Sequence, residues 1–130
     1  MIVIDTHTWL WLVTEDSQLS RTAALFIERE SEVVVPTIAL WEVAMLDEKG
    51  RLMLERDVAS FLAAALAWEG VRLAPITPQI AERTGLLPAS FHRDPADRLI
   101  VATAIELGVP LVTRDERIVN AAIPGLKTVW

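Results

Sequence analysis

Four carboxylates stand where the surrounding sequence gives a charge little support. Asp5 ends the apolar run Met1 to Ile4, and Glu42 is the only charge between Ile38 and Leu46. Asp97 lies in Asp94-Pro95-Ala96-Asp97-Arg98-Leu99-Ile100, and Asp115 follows Pro110-Leu111-Val112-Thr113-Arg114. A carboxylate among apolar neighbours is costly unless it is paired, hydrogen-bonded or bound to a cation. Two unit charges ~4 Å apart repel by about 4 kcal/mol at an effective dielectric of 20. Four clustered anions would therefore oppose folding by an amount comparable with the ~5–15 kcal/mol stability of a whole domain. If the four meet, either some are protonated or a cation neutralises them. An all-oxygen donor set suits a hard ion, Mg²⁺ or Mn²⁺. Such an ion can lower the pKa of a water and stabilise both oxygens of an in-line displacement at phosphorus, which makes phosphodiester hydrolysis the matching chemistry.

Each acid also has a purely local reading. Asp97 occupies the third position of a helix capped by Asp94, where the macrodipole favours an anion. Asp5 and Asp115 could each cap the helix that follows. Glu42 could sit in a buried ion pair.

The elements that would carry these residues can be read from the apolar pattern. Ile2–Ile4 and Val33–Val35 are short β-branched runs, Val71–Ala74 a weaker strand, Leu111–Thr113 a fourth and Thr128–Trp130 a possible fifth. Helices are expected after Thr6, Ser20, Thr37 and Asp57 as N-caps, after Thr77-Pro78 and Asp94-Pro95, and over Glu116–Ala122. Strands that are apolar throughout and alternate with helices indicate a three-layer α/β/α domain around a parallel sheet of four to five strands. Sites in such sheets lie beyond the carboxyl ends of the strands. Asp5 and Asp115 follow strands, Asp97 falls in the first turn of its helix and Glu42 roughly one turn into its own, so all four should face one rim.

At 130 residues the chain reads as one domain, 1–130, with 52% hydrophobic and 23% charged residues, which excludes disorder. No apolar stretch reaches the ~18 residues of a membrane span. The start lacks the basic region of a signal peptide, and the absence of Cys removes disulfide and thiolate chemistry, so a cytoplasmic protein is expected. A net charge of −6 argues against a nucleic-acid binder, except that a carboxylate cluster holding metal supplies part of it.

With these motifs in this order and spacing, the chain resembles PIN-domain ribonucleases, specifically the VapC-like toxins of toxin–antitoxin pairs. The resemblance covers essentially all 130 residues. It rests on Ile4-Asp5-Thr6-His7, on Ile38 to Ala44, on His92 to Ala104 and on Leu111-Val112-Thr113-Arg114-Asp115. It implies that Asp5, Glu42, Asp97 and Asp115 are the acidic metal-binding quartet, with Asp5 and Asp97 the most constant ligands. Thr6 and Thr113 match hydroxyl positions beside the site. It also implies an RNA substrate, dependence on Mg²⁺ or Mn²⁺, a homodimer and inhibition by a cognate antitoxin. Relatives often carry a further acid where this chain has Ile118; Glu116 or Asp94 are the available substitutes.

Thr6, Arg93, Arg98, Thr113 and Arg114 are candidate substrate contacts, and Arg117 also flanks the acids. The bland reading for each Arg is pairing with those same acids. Trp9 and Trp11 are candidates for a dimer or antitoxin groove. His7 and His92 could form a metal-free acid–base pair, a reading that leaves the carboxylates unexplained. A haloacid dehalogenase-type phosphatase needs an Asp where His7 stands, and a receiver domain needs an acid where Ala74-Pro75 ends a strand. The non-enzymatic alternative is an inactive PIN-like interaction module.

Overall fold

In the computed structural model, which describes residues 1–130, strand β1 (Ile2–Ile4) lies at the centre of the sheet. Around it stand β2 (Val33–Pro36), β3 (Val71–Ala74), β4 (Leu111–Val112) and β5 (Thr128–Val129), in the order β3-β2-β1-β4-β5, all parallel. The helices are α1 (Thr6–Val13), α2 (Arg21–Glu28), α3 (Ile38–Glu48), α4 (Val58–Leu66), α5 (Pro78–Leu86), α6 (Pro95–Leu107) and the single turn α7 (Glu116–Val119). The three-layer expectation holds, with five strands.

The unbroken apolar strands follow from burial on both faces. Alternate residues point opposite ways. Ile2, Ile4, Val33, Val35 and Val112 pack beneath α1–α4 with Trp9, Ile27 and Val43. Val3, Val34 and Leu111 pack on the other face with Phe91, Ile100, Val101 and Ile118. Trp9 is fully buried, so it cannot line a docking groove as expected. Ile118 is also fully enclosed, an environment that suits its apolar side chain and would leave an acid buried.

Local capping matches the sequence at four helices. Ser20, Asp57, Thr77 and Asp94 each accept a hydrogen bond from the backbone N–H three residues on. It differs at two. At α1 the local reading of Asp5 as the cap holds in place of Thr6, with Asp5 accepting from Thr8 N at 2.7 Å. Thr37 makes no cap bond; its hydroxyl donates instead to the carbonyl of Ala74 in β3. The final helix is also shorter than expected, stopping at Val119, and Ala122 beyond it adopts φ 47°.

The strand order sets the place of the site. From β1 the chain moves outward to β2 and β3, then returns across α6 to β4 on the opposite side. The order therefore reverses between β1 and β4, and a crevice opens there at the carboxyl edge. Asp5 closes β1 and Thr113 closes β4, side by side at that crevice. No helix is long and apolar enough to cross a membrane.

Candidate active site

The crevice is a cavity of about 360 Å³ whose walls include Asp5, Glu42, Asp94, Asp97 and Asp115. The four acids of the sequence are thus brought together, joined by Asp94. Each is held by a different device. Asp5 is almost fully buried; one oxygen accepts from Thr8 N and the other from the Thr113 hydroxyl. Thr113 Oγ1 in turn accepts from Asp115 N at 3.0 Å, so a single hydroxyl links the ends of β1 and β4. Glu42, just past the first turn of α3, accepts from the Thr6 hydroxyl. Asp97 Oδ2 lies 2.7 Å from His92 Nε2, and its backbone N–H is capped by Asp94. Asp115 caps α7 through Arg117 N at 2.8 Å.

The electrostatics are those of crowded anions. Burial pushes Glu42 up to about 7; the Thr6 bond opposes this, while Asp97, Asp94 and Asp5 reinforce it. Asp97 is also raised, first by burial and then by Asp94 and Asp115, against the lowering influence of His92. Asp115 goes the other way. Burial works to raise it, but the Arg117 side chain and backbone together hold it below the ordinary carboxylate range. Arg117 is the one arginine that bridges two of the acids, at 2.8 Å from Asp115 and 3.3 Å from Asp97. No three of the acids form a ready-made cation cage in this arrangement. They share a cleft, with an arginine partly filling the role of counter-ion.

The other expected contacts divide sharply. Arg114 and Thr6 line the cleft, whereas Arg93 is exposed outside it. Arg98 corrects the expectation of a substrate contact. Its guanidinium donates to the carbonyls of Phe91 (3.1 Å), His92 (3.1 Å) and Thr84 (2.8 Å) and lies over the Phe91 ring. Arg98 therefore ties the segment before α6 to the end of α5. Thr113 is likewise wholly enclosed and contacts Asp5, not solvent. Glu116 is exposed and not part of the cleft, so Asp94 is the only extra acid there. The two histidines do not act as a matched pair. His92 binds Asp97, while His7 lines the cleft and leans on Trp11.

Two cleft residues were underweighted by sequence reasoning, Arg117 and Trp11. The Asp115-x-Arg117 spacing at a helix start was the available signal for the first. For the second, residues two apart on a helix point about 200° apart, so Trp9 and Trp11 could not share one surface.

The PIN domain family matches residues 2–124. Ribonuclease VapC22 of Mycobacterium tuberculosis is 42% identical over 129 residues, spanning 99% of this chain and 98% of that protein. Among solved structures, DNA-bound VapBC from Salmonella typhimurium aligns with a TM-score of 0.73 at 18% identity, over 98% of this chain and 96% of that one. The M. tuberculosis toxin VapC20, described as cleaving the sarcin–ricin loop, aligns with a TM-score of 0.70 at 19% identity, over 98% and 99%. These distant structures bear on the fold, and the family match and the close relative carry the assignment. This chain belongs to the PIN-domain family, in its VapC branch.

Proposed function

We propose that residues 1–130 act as one nuclease unit, a cation-assisted endoribonuclease that is the toxin of a toxin–antitoxin pair in the cytoplasm. The observation that carries the reading is the convergence of Asp5, Glu42, Asp97 and Asp115 on one cleft that also exposes Arg114 and Arg117. Charges of both signs in one cleft suit a phosphodiester, whose oxygens need cations and whose cleavage needs a proton acceptor. The residues fit a hard divalent ion in kind. They are all oxygen donors, and the upward shifts of Glu42 and Asp97, set first by burial and then by the neighbouring carboxylates, show that removing charge from this cleft is favourable. Asp5, Asp97, Asp115 and Glu42 would hold Mg²⁺ or Mn²⁺. When bound, such an ion supplies an acidified water and stabilisation of charge on the leaving oxygen.

The chain's own residues supply the rest. Asp5 is fixed by Thr8 N–H and Thr113, so its carboxylate cannot swing away. His92 fixes Asp97 in the same manner. Glu42 is oriented by its hydrogen bond from Thr6, which aims its carboxylate into the cleft to accept a proton from an attacking water. Arg114 and Arg117 supply the positive charge at the cleft that a phosphodiester's oxygens need. The intact set of acids counts against an inactive interaction module.

The partner reading draws on relatives solved as toxin–antitoxin complexes, including VapBC2 from Rickettsia felis. A second cavity of about 440 Å³, lined by seven hydrophobic residues of ten, supports it, lying between the end of α1 at Val13, the Met53–Arg56 segment, α4 from Phe61 to Ala65, and Trp68 just beyond that helix. Exposed Met53 and Trp68 there suit an amphipathic antitoxin helix. A homodimer is proposed on the family resemblance.

The test is cleavage of single-stranded RNA with Mg²⁺ or Mn²⁺. Asp5→Asn and Asp97→Asn should each lose at least about a hundredfold in rate, the usual scale for losing an essential charged group. Unaltered cleavage in both variants, each folded by circular dichroism, would remove the acids from the mechanism.

A further inference from the structure

The cleft wall carries one feature that phosphodiester hydrolysis does not require. Of its eleven lining residues only Trp11 and Ile100 are hydrophobic, and Ile100 is 1% exposed. Trp11 is therefore the one large apolar face that the cleft offers to an incoming ligand. Its neighbour Trp9 already fills the core position on α1, so packing does not demand a second indole here.

Trp11 is contacted by two rings and a guanidinium. Trp130 meets it edge-on with ring centroids 5.6 Å apart, and His7 tilts against it at 5.8 Å. Arg114 places its guanidinium over the indole, 5.9 Å from the ring centroid. That guanidinium is only loosely tethered, by a 3.4 Å hydrogen bond to Gln18 Oε1. A fixed aromatic face with a movable planar cation above it is what a flat, polarisable ring can enter. Single-stranded RNA offers such rings, since its unstacked bases are bound by stacking on aromatic side chains and on arginine planes.

We propose that Trp11 is a base platform, on which one nucleobase of the RNA stacks while an adjacent phosphate lies among the acids. Arg114 closes over the base or shifts to the neighbouring phosphate, and His7 borders the same subsite. The platform gives the cleft a preference for a flexible, unpaired nucleotide over a stacked duplex. It rests on the ribonuclease reading and adds to it the residue that seats the base.

The test is binding of an oligouridylate of about ten nucleotides, a length within the usual site size for single strands. Its partners are the abasic versions of that strand, substituted one position at a time. Cleavage is silenced by Asp5→Asn, and the same protein is compared with and without Trp11→Leu or Trp11→Phe. Trp11→Leu should weaken binding roughly five- to hundredfold, the range for one lost stacking contact, and Trp11→Phe only a few-fold. One abasic position should weaken binding to the Trp11 protein by a like factor and leave Trp11→Leu unaffected. Equal abasic penalties in the two proteins, or unchanged affinity in Trp11→Leu, would overturn the platform. A Trp11→Leu protein that binds RNA normally but loses its dimer by light scattering would place Trp11 in a protein interface instead. Absence of RNA binding by every protein would defeat the ribonuclease reading itself, and the platform with it.

Discussion

Replacing Arg117 by Met asks whether the acidic cleft needs a cation and what stands in for one. Arg117 contacts Asp115 at 2.8 Å and Asp97 at 3.3 Å, and its own side chain is 64% exposed. Exposed ion pairs contribute about 0.2–1 kcal/mol each. Both acids are partly buried although Arg117 is exposed, so the full span of that range applies, with an upper bound of about 2 kcal/mol for the two pairs. For a chain of this length, an unfolding entropy of about 2.1 cal/mol/K per residue converts this to a fall in Tm of up to about 7 °C in chelator. A divalent ion reverses the comparison. In the parent it must displace the guanidinium; in Arg117→Met it meets bare carboxylates and binds several-fold more tightly. Both proteins gain from the ion, but a roughly fivefold tighter Kd adds about 1 kcal/mol more to the variant, so the deficit should shrink towards zero as Mn²⁺ is raised. Differential scanning fluorimetry across a Mn²⁺ series, with calorimetric titration for affinity, reads both effects. A Tm difference that is the same in chelator and in millimolar Mn²⁺ would show that Arg117 and the ion do not share the acids.

Three further outcomes are expected. Glu42 has a folded pKa of about 7 against an ordinary 4.5, so between those values the folded chain keeps a proton that the unfolded chain has released. Stability in chelator should therefore fall as pH rises from about 4.5 to 7, by of order 1–2 kcal/mol after discounting for partial solvent screening, and Glu42→Gln should flatten the slope in urea denaturation. Arg98→Ala should cost about 2–4 kcal/mol by denaturant midpoint, because three backbone carbonyls lose a charged donor, and Arg98→Lys should recover only part of it. Thr113→Val, which removes the buried hydroxyl joining Asp5 to Asp115, should cost about 1–3 kcal/mol and depress RNA cleavage, while Thr113→Ser retains both.

The sequence was most legible where interactions are local. Ser20, Asp57, Thr77 and Asp94 cap their helices because a side chain reaches a backbone N–H three residues away whatever the rest of the chain does. Thr6 and Thr37 look the same in sequence but are engaged by distant partners, 36 and 37 residues off. The arginines show the same limit. Arg98 and Arg117 each lie within two residues of an acid, yet one locks a loop and the other bridges two carboxylates. The rim position of the four acids could be inferred from strand-to-helix order alone. The reversal between β1 and β4 could not, because strand order depends on pairings across the whole chain. Glu42 has no arginine partner of the kind a buried ion pair would need; its carboxylate is held by the Thr6 hydroxyl and shares its upward pKa shift with Asp97.

The most direct measurement is the chemistry of the RNA ends produced by the purified chain, with and without chelator. Water-mediated hydrolysis in the acidic cleft predicts 5′-phosphate and 3′-hydroxyl ends, formed only with Mg²⁺ or Mn²⁺ and absent in Asp97→Asn. Cyclic 2′,3′-phosphate ends that persist in chelator and in Asp97→Asn would instead point to attack by the ribose hydroxyl, and would contradict a carboxylate-held cation as the source of catalysis.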